Sequence, residues 1–149
     1  MTAKLAATAD NFLVGYSFSF LSNKLSAGLS RLLREQFQIG VVEWRIMIAL
    51  AREPNQQASQ ISKVANIDKG LISKSFKVLA EKRLITLAPL PNEQRRRLAR
   101  LTEEGQALYE EIWPIFAARE AKVLAGLGEE QLTDLLDSLQ IIRANLEEL

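Results

Sequence analysis

Two short helical patterns follow one another near the middle of the chain, separated by only three residues. Apolar side chains recur at three- and four-residue steps over residues 58–65 and again over residues 69–82. The connection is Asn66-Ile67-Asp68, and Asp68 stands where a side chain can cap the second helix. The inward positions that this spacing predicts are Ile61, Val64, Ala65, Ile72, Phe76 and Leu79. The pattern is typical of a helix-turn-helix, although adjacent helices also occur in many other α proteins.

A β-hairpin is predicted directly after the second helix. The apolar period changes towards two after Leu84, so residues 85–88 and 98–101 are expected to form paired strands. Residues 89–94 contain two prolines and an asparagine, which favour a turn. Three consecutive arginines are then expected at or near the tip of the hairpin: Arg95, Arg96 and Arg97.

Long apolar helical patterns flank this central unit. One covers residues 10–38 with Asp10 as its N-cap, and another starts at Thr102 and continues to about residue 124. A last helix is predicted over residues 129–146. Their apolar stripes are longer than one small winged unit can cover, which predicts a homodimer. A single monomeric helical core is the alternative.

The residue types that are missing exclude several kinds of chemistry. The chain has no Cys and no His, so a thiol nucleophile, a redox switch, a Cys/His zinc site and a Ser-His-Asp triad are excluded. Two carboxylate pairs, Glu103 with Glu104 and Glu110 with Glu111, are adjacent on helices and do not converge on one site. We therefore expect no enzyme, no catalytic residue, no metal and no cofactor. With no visible leader or membrane span, we expect a cytoplasmic protein.

The charge is distributed very unevenly along the chain, although its total is only +1. Residues 1–62 carry +2, residues 63–100 carry ten Lys or Arg against three Asp or Glu, and residues 101–149 carry −8. A basic segment that coincides with the helix-turn-helix and hairpin predicts contact with a polyanion, and double-stranded DNA fits best. The alternatives are a solvated basic surface, an RNA-binding loop, or a winged-helix module that binds protein and not DNA.

The residues expected to contact DNA lie on the second helix and on the hairpin. The side of the helix opposite its apolar stripe is suited to base edges and phosphates in the major groove. Arginines on a projecting hairpin suit the negative potential of a narrow minor groove. The predicted contact residues are Lys69, Ser73, Lys74, Lys77, Arg95, Arg96 and Arg97.

The stretch from Leu90 to Gly105, LPNEQRRRLARLTEEG, resembles the wing of the MarR (multiple antibiotic resistance regulator) family. In that family an Asp-x-Arg wing is followed by Leu-Thr-x-x-Gly. The resemblance implies that Arg95 enters the minor groove and that Glu93, here in place of Asp, orients it. A second similarity covers residues 68–85, with Arg83 where the family usually has Gly, a position that often needs a positive φ. A third covers residues 43–50.

The resemblance also implies an architecture and a function. The fold class is mainly α with a small β-hairpin wing, in one MarR-like domain over residues 1–149. Residues 40–101 form the winged helix-turn-helix DNA-binding part, and residues 10–38 and 102–149 form the helical dimerisation part. The implied protein is a bacterial, sequence-specific transcriptional regulator, expected to be a repressor, which binds a pseudo-palindromic operator as a homodimer.

A small aromatic or anionic effector is a further expectation from the resemblance. In many relatives such compounds bind where the dimerisation and winged parts meet and release the protein from DNA. Aromatic side chains and one cation suit an aromatic anion. The residues expected to line such a pocket are Tyr16, Phe20, Phe37, Trp44 and Arg45, and the alternative is that most of them are ordinary core.

Overall fold

The computed structural model describes residues 9–90 and 93–149, and the side chains of all of these except residues 9–12, 94 and 95. The described residues form six helices and one two-stranded antiparallel sheet. In chain order the elements are α1 (Ala9–Phe37), α2 (Val41–Arg52), α3 (Ala58–Ala65), α4 (Lys69–Glu81), β1 (Ile85–Leu90), β2 (Glu93–Leu101), α5 (Glu103–Val123) and α6 (Glu129–Glu147). This order confirms the winged helix-turn-helix fold class. The side chain of Asp10, the predicted N-cap of the first helix, lies outside the described side chains.

The helix-turn-helix is formed by α3 and α4, joined by the predicted three-residue connection. Asn66 ends α3 in the left-handed conformation, with φ of 50°. Asp68 caps α4, because its carboxylate accepts a hydrogen bond of 3.0 Å from the backbone N–H of Leu71. Local side-chain chemistry therefore stops one helix and starts the next, as the sequence predicts.

The apolar core of the winged unit lies between α2, α3 and α4. Trp44, Met47, Ile61, Ile72 and Leu79 are among its fully buried side chains. The prediction for Val64 is wrong, because its side chain is 72% exposed. The eight-residue helix α3 buries only Ile61, so its inward face is narrower than a full helical stripe.

The wing strands are longer than the sequence predicts. β1 continues through Pro89 to Leu90, and β2 starts at Glu93, so the three arginines belong to β2. Pro89 pairs with Arg97, with a register shift between Pro89 and Leu90. A proline is tolerated here because both strands of a two-stranded sheet are edge strands.

The junction between the wing and α5 brings two backbone segments unusually close. The Thr102 hydroxyl donates to the Arg83 carbonyl (2.6 Å) and accepts from the Gly105 N–H (2.9 Å), which confirms Thr102 as the α5 cap. The Thr102 N–H donates to the Leu84 carbonyl at 3.1 Å. A Cβ on Gly105 would lie 1.9 Å from that same oxygen. Glycine is therefore required here for close approach of the helix.

The described residues form two compact units, one ending at Tyr109 and the other comprising Glu110–Leu149. In the first unit, α1 buries Leu29 and Leu33 but leaves the large apolar side chains between Leu13 and Leu21 exposed. In the second, α6, which the structure describes in full, has no buried side chain. Among the described residues, no helix combines the length and the apolar character needed to cross a membrane.

We predict that Gly105→Ala lowers the free energy of unfolding by about 3 kcal/mol, because the new Cβ overlaps a backbone oxygen that has no freedom to move away. Urea unfolding followed by circular dichroism measures the change. Gly15→Ala is the matched control, since a Cβ at Gly15 meets no atom within 4 Å. A helical alanine there should stabilise or leave the protein unchanged. Equal stability of the two variants would contradict the close-approach role of Gly105.

Candidate nucleic-acid interface

A groove of about 520 Å³ lies between α4 and the wing. Lys69, Ser73 and Lys77 are spaced four residues apart, so they share one side of α4. Arg96 and Arg97 reach the same groove from β2. We call this the α4–wing groove, and its full lining is Gln57, Ala58, Ser59, Lys69, Ser73, Phe76, Lys77, Leu87, Arg96 and Arg97.

The chemistry of the α4–wing groove suits a polyanion with flat apolar parts. Four of its lining side chains are cations, and none of the described lining residues is acidic. Phe76, which is buried, and Leu87 provide an apolar floor. The Ser73 hydroxyl donates to the Lys69 carbonyl at 2.9 Å, so its oxygen lone pairs are left to accept from a ligand.

Lys74 does not line this groove, although the sequence places it in the same predicted contact set. It is one residue beyond Ser73 and therefore about 100° further round the helix. Its side chain is exposed. The structure thus brings five of the seven predicted contact residues together and sets Lys74 on another side of α4; the side chain of the seventh, Arg95, lies outside the described ones.

Glu93 forms an ion pair with Arg96, with Oε2 2.9 Å from Nε. Both side chains are largely exposed, so the pair contributes little to stability. Its effect is positional, because it holds one of the groove arginines. The orienting role of Glu93 towards Arg95 stays a prediction.

Arg83 adopts the left-handed backbone conformation that the sequence comparison predicts for it, with φ of 60°. A residue with a Cβ is disfavoured there by roughly 1–2 kcal/mol. The conformation lets the chain turn from α4 into β1, and the Arg83 carbonyl receives the Thr102 hydroxyl. The departure from glycine is therefore accommodated without a change of the turn.

Gln56 is a buried polar residue that positions the wing, and the sequence analysis missed it. Its side-chain amide donates to the carbonyls of Ala49 (3.0 Å) and Glu53 (2.7 Å), at the end of α2. Its backbone exchanges two hydrogen bonds with Ala99 of β2. Gln56 thereby joins α2 to the strand that carries the arginines. No local pattern marks it, because its partners are set by the tertiary approach of the wing.

The residues predicted for an effector pocket lie in different environments. Trp44 is fully buried and stacks on Tyr109, with ring centroids 5.5 Å apart. Tyr16 and Phe20 are exposed on α1, and Phe37 is half-buried. Arg45 is exposed. None of the five lines the α4–wing groove, so the effector pocket stays a prediction.

The sequence profile of the MarR family matches residues 37–97, which include α2, α3, α4 and the first residues of β2. A MarR/EmrR family transcriptional regulator from Acinetobacter sp. ADP1 is 27% identical, with 95% of this chain and 100% of that chain aligned and a TM-score of 0.86. Over this segment the chain matches the MarR family. The prediction from the wing and recognition-helix sequences is confirmed.

Two other solved structures share the MarR fold at lower identity. Sco3205, a MarR family transcriptional regulator from Streptomyces coelicolor in complex with DNA, is 24% identical (98% of this chain, 93% of that chain, TM-score 0.84). The S. aureus MepR–DNA complex is 23% identical (88% and 96%, TM-score 0.78). No curated protein sequence matches the chain.

We predict that Gln56→Glu lowers the free energy of unfolding by about 1–3 kcal/mol, because a carboxylate cannot donate to the Ala49 and Glu53 carbonyls. The measurement is the urea midpoint at neutral pH. Gln36→Glu, the same change at an exposed position of α1, is the control and should stay within about 0.5 kcal/mol. The role of Gln56 would be disproved by equal midpoints for the two variants.

Proposed function

We propose that this MarR-family protein is a bacterial transcriptional regulator that binds double-stranded DNA in a sequence-specific manner, as a homodimer. The observation that supports this most strongly is the α4–wing groove, where four cations from two elements meet beside an apolar floor. Such a cluster is unfavourable by self-repulsion unless an anion neutralises it. Phosphates of a duplex supply that charge along a continuous line.

The proposed docking follows from the two elements that form the groove. Helix α4 enters the major groove, where Lys69, Ser73, Lys74 and Lys77 meet base edges and phosphates. The wing follows the backbone into the neighbouring minor groove, with Arg95 as the inserted residue and Arg96 and Arg97 at the flanking phosphates. Sco3205 and MepR, which share this fold, were solved in complex with DNA, and this supports DNA as the ligand.

The proposal of a homodimer rests on apolar surface that one chain leaves uncovered. Leu13, Tyr16 and Phe20 on α1 are each at least half exposed, and Leu136 and Ile141 on α6 are similarly accessible. Large apolar side chains exposed along two long helices of a small protein are costly in water and favour an interface. Two copies paired through these helices would present two α4 helices to one face of DNA, and the operator would be a pseudo-palindrome with half-sites about 34–36 Å apart.

We further propose that the protein acts in the cytoplasm as a repressor, with no catalytic activity. The second candidate is a protein-binding module without DNA affinity. It is favoured by the acidic C-terminal part, which carries −8 over residues 101–149, and by the unburied face of α6. The binding experiment below separates the two.

We predict a steep salt dependence of duplex binding, measured by fluorescence anisotropy after selection of the tightest sequences from a random pool. Each phosphate neutralised by Lys or Arg contributes about −0.9 to the slope of log K against log salt. Lys77→Ala should reduce the slope by about one for each half-site. Lys122→Ala, which removes the same charge from the end of α5, is the control and should leave the slope unchanged. A flat salt response of the unaltered protein would favour the protein-binding module.

We predict that Leu136→Asp converts the dimer to a monomer, because it buries a charge at the proposed interface of α6. Sedimentation equilibrium measures the mass, and affinity for the selected operator should fall at least tenfold as the second half-site contact is lost. Val64→Asp introduces the same charge at an exposed apolar position of α3 and should leave the mass unchanged. A monomeric unaltered protein would contradict the homodimer proposal.

A further inference from the structure

Three helices of the described part of the chain begin with the same hydrogen bond. The backbone N–H before the helix donates to a side-chain oxygen three residues later, which is the second half of a capping box. In α2 the acceptor is Glu43, at 2.8 Å from the Gly40 nitrogen. In α3 and α6 the acceptors are Gln60 (2.7 Å) and Gln131 (2.9 Å). The capping task alone is therefore performed equally well by an amide.

The carboxylate of Glu43 also makes a second contact, with another helix. Its other oxygen, Oε1, accepts a hydrogen bond of 2.6 Å from the Ser75 hydroxyl. Ser75 lies on the buried side of α4 and is only 3% exposed. A carboxylate has two acceptor oxygens, whereas a glutamine amide has one. Glu43 thus binds the start of α2 and the middle of α4 at the same time.

Gly40 makes room for this arrangement. Its φ of −90° is accessible to any residue, so the backbone conformation does not require glycine. A Cβ at Gly40 would lie 2.2 Å from Oε2 of Glu43 and would displace the carboxylate. The missing side chain therefore keeps the Glu43 carboxylate in place between its two donors.

A second contact joins the same region to the end of α4. The Lys82 ammonium, at the C-cap of α4, donates to the carbonyl of Gln38, which follows α1. We call residues 38–43 the α1–α2 junction. The junction contacts α4 at two places along its length, through Ser75 and through Lys82.

We propose that Glu43 is a positioning residue that sets the orientation of α4 on DNA and thereby its sequence selectivity, an inference that rests on the proposed function. Base contacts require α4 to be placed to within a fraction of an ångström, because hydrogen bonds weaken steeply with distance and angle. Phosphate contacts from long Lys and Arg side chains tolerate small rotations of the helix. Loss of the Glu43–Ser75 bond should therefore reduce operator binding much more than binding to random duplex.

The test compares two dissociation constants at one salt concentration, for the selected operator and for a random duplex of equal length. Ser75→Ala removes the cross-helix bond and keeps both the capping bond and the charge of Glu43. We expect about a tenfold loss of operator affinity, in the range found for hydrogen bonds to charged groups. The random duplex should change by less than about twofold. Gly40→Ala keeps the Glu43 and Ser75 side chains but displaces the Glu43 carboxylate, so it should give the same selective loss.

Gln131→Ala is the matched control, because it removes a capping bond of the same type on α6 that reaches no other helix in the described residues. Since α6 belongs to the proposed dimer interface, sedimentation equilibrium first verifies that this variant has the mass of the unaltered protein. Its ratio of operator to random binding should equal that of the unaltered protein. Urea unfolding measures whether each variant is fully folded at the binding temperature. A smaller folded fraction would lower the apparent affinity for both duplexes equally, whereas a loss of selectivity lowers the affinity for the operator alone. The positioning role would be overturned if Ser75→Ala and Gly40→Ala both kept the ratio of operator to random affinity of the unaltered protein. It would also be overturned if Gln131→Ala lowered that ratio as much as they do. A protein that binds no duplex would instead refute the proposed function.

Discussion

The approach of the first turn of α5 to the Leu84 carbonyl determines how the winged unit is assembled. Gly105 allows this contact because it has no Cβ, and Thr102 secures it through bonds to Arg83 and Gly105. The end of α4, the start of β1, the end of β2 and the start of α5 all meet at this point. The contact therefore joins the turn from α4 into β1 to the end of β2 and the start of α5.

The groove concentrates positive charge where two independent elements converge. Lys69 and Lys77 come from α4, and Arg96 and Arg97 come from β2. In the described part of the chain, Glu93 is the acidic residue that forms an ion pair with one of these cations, and the pair is largely exposed. Such an arrangement repels itself in the free protein, and a bound polyanion would relieve that repulsion. The acidic residues are instead concentrated in the C-terminal part of the chain.

Much of the fold could be predicted from sequence because its signals are local. Asp68 and Thr102 each cap a helix by accepting a hydrogen bond from the residue three positions later. Arg83 turns the chain through its own left-handed backbone conformation. The predicted strands are too short because proline favours a turn in the sequence pattern, whereas an edge strand tolerates Pro89. Val64 was assigned to the core because the helical period does not tell how wide a stripe the neighbouring helices cover.

The sequence by itself determined the order of the elements, the positions of the helix ends, the basic character of the winged unit and its resemblance to the MarR family. Each of these depends on residues a few positions apart or on composition. Only the tertiary structure decided that Lys74 stands apart from the groove, that Gln56 bonds α2 to β2, and that Glu43 meets Ser75 across 32 residues. These contacts depend on where separate helices and strands come to rest. That placement follows from the packing of the whole core, which no short sequence window contains.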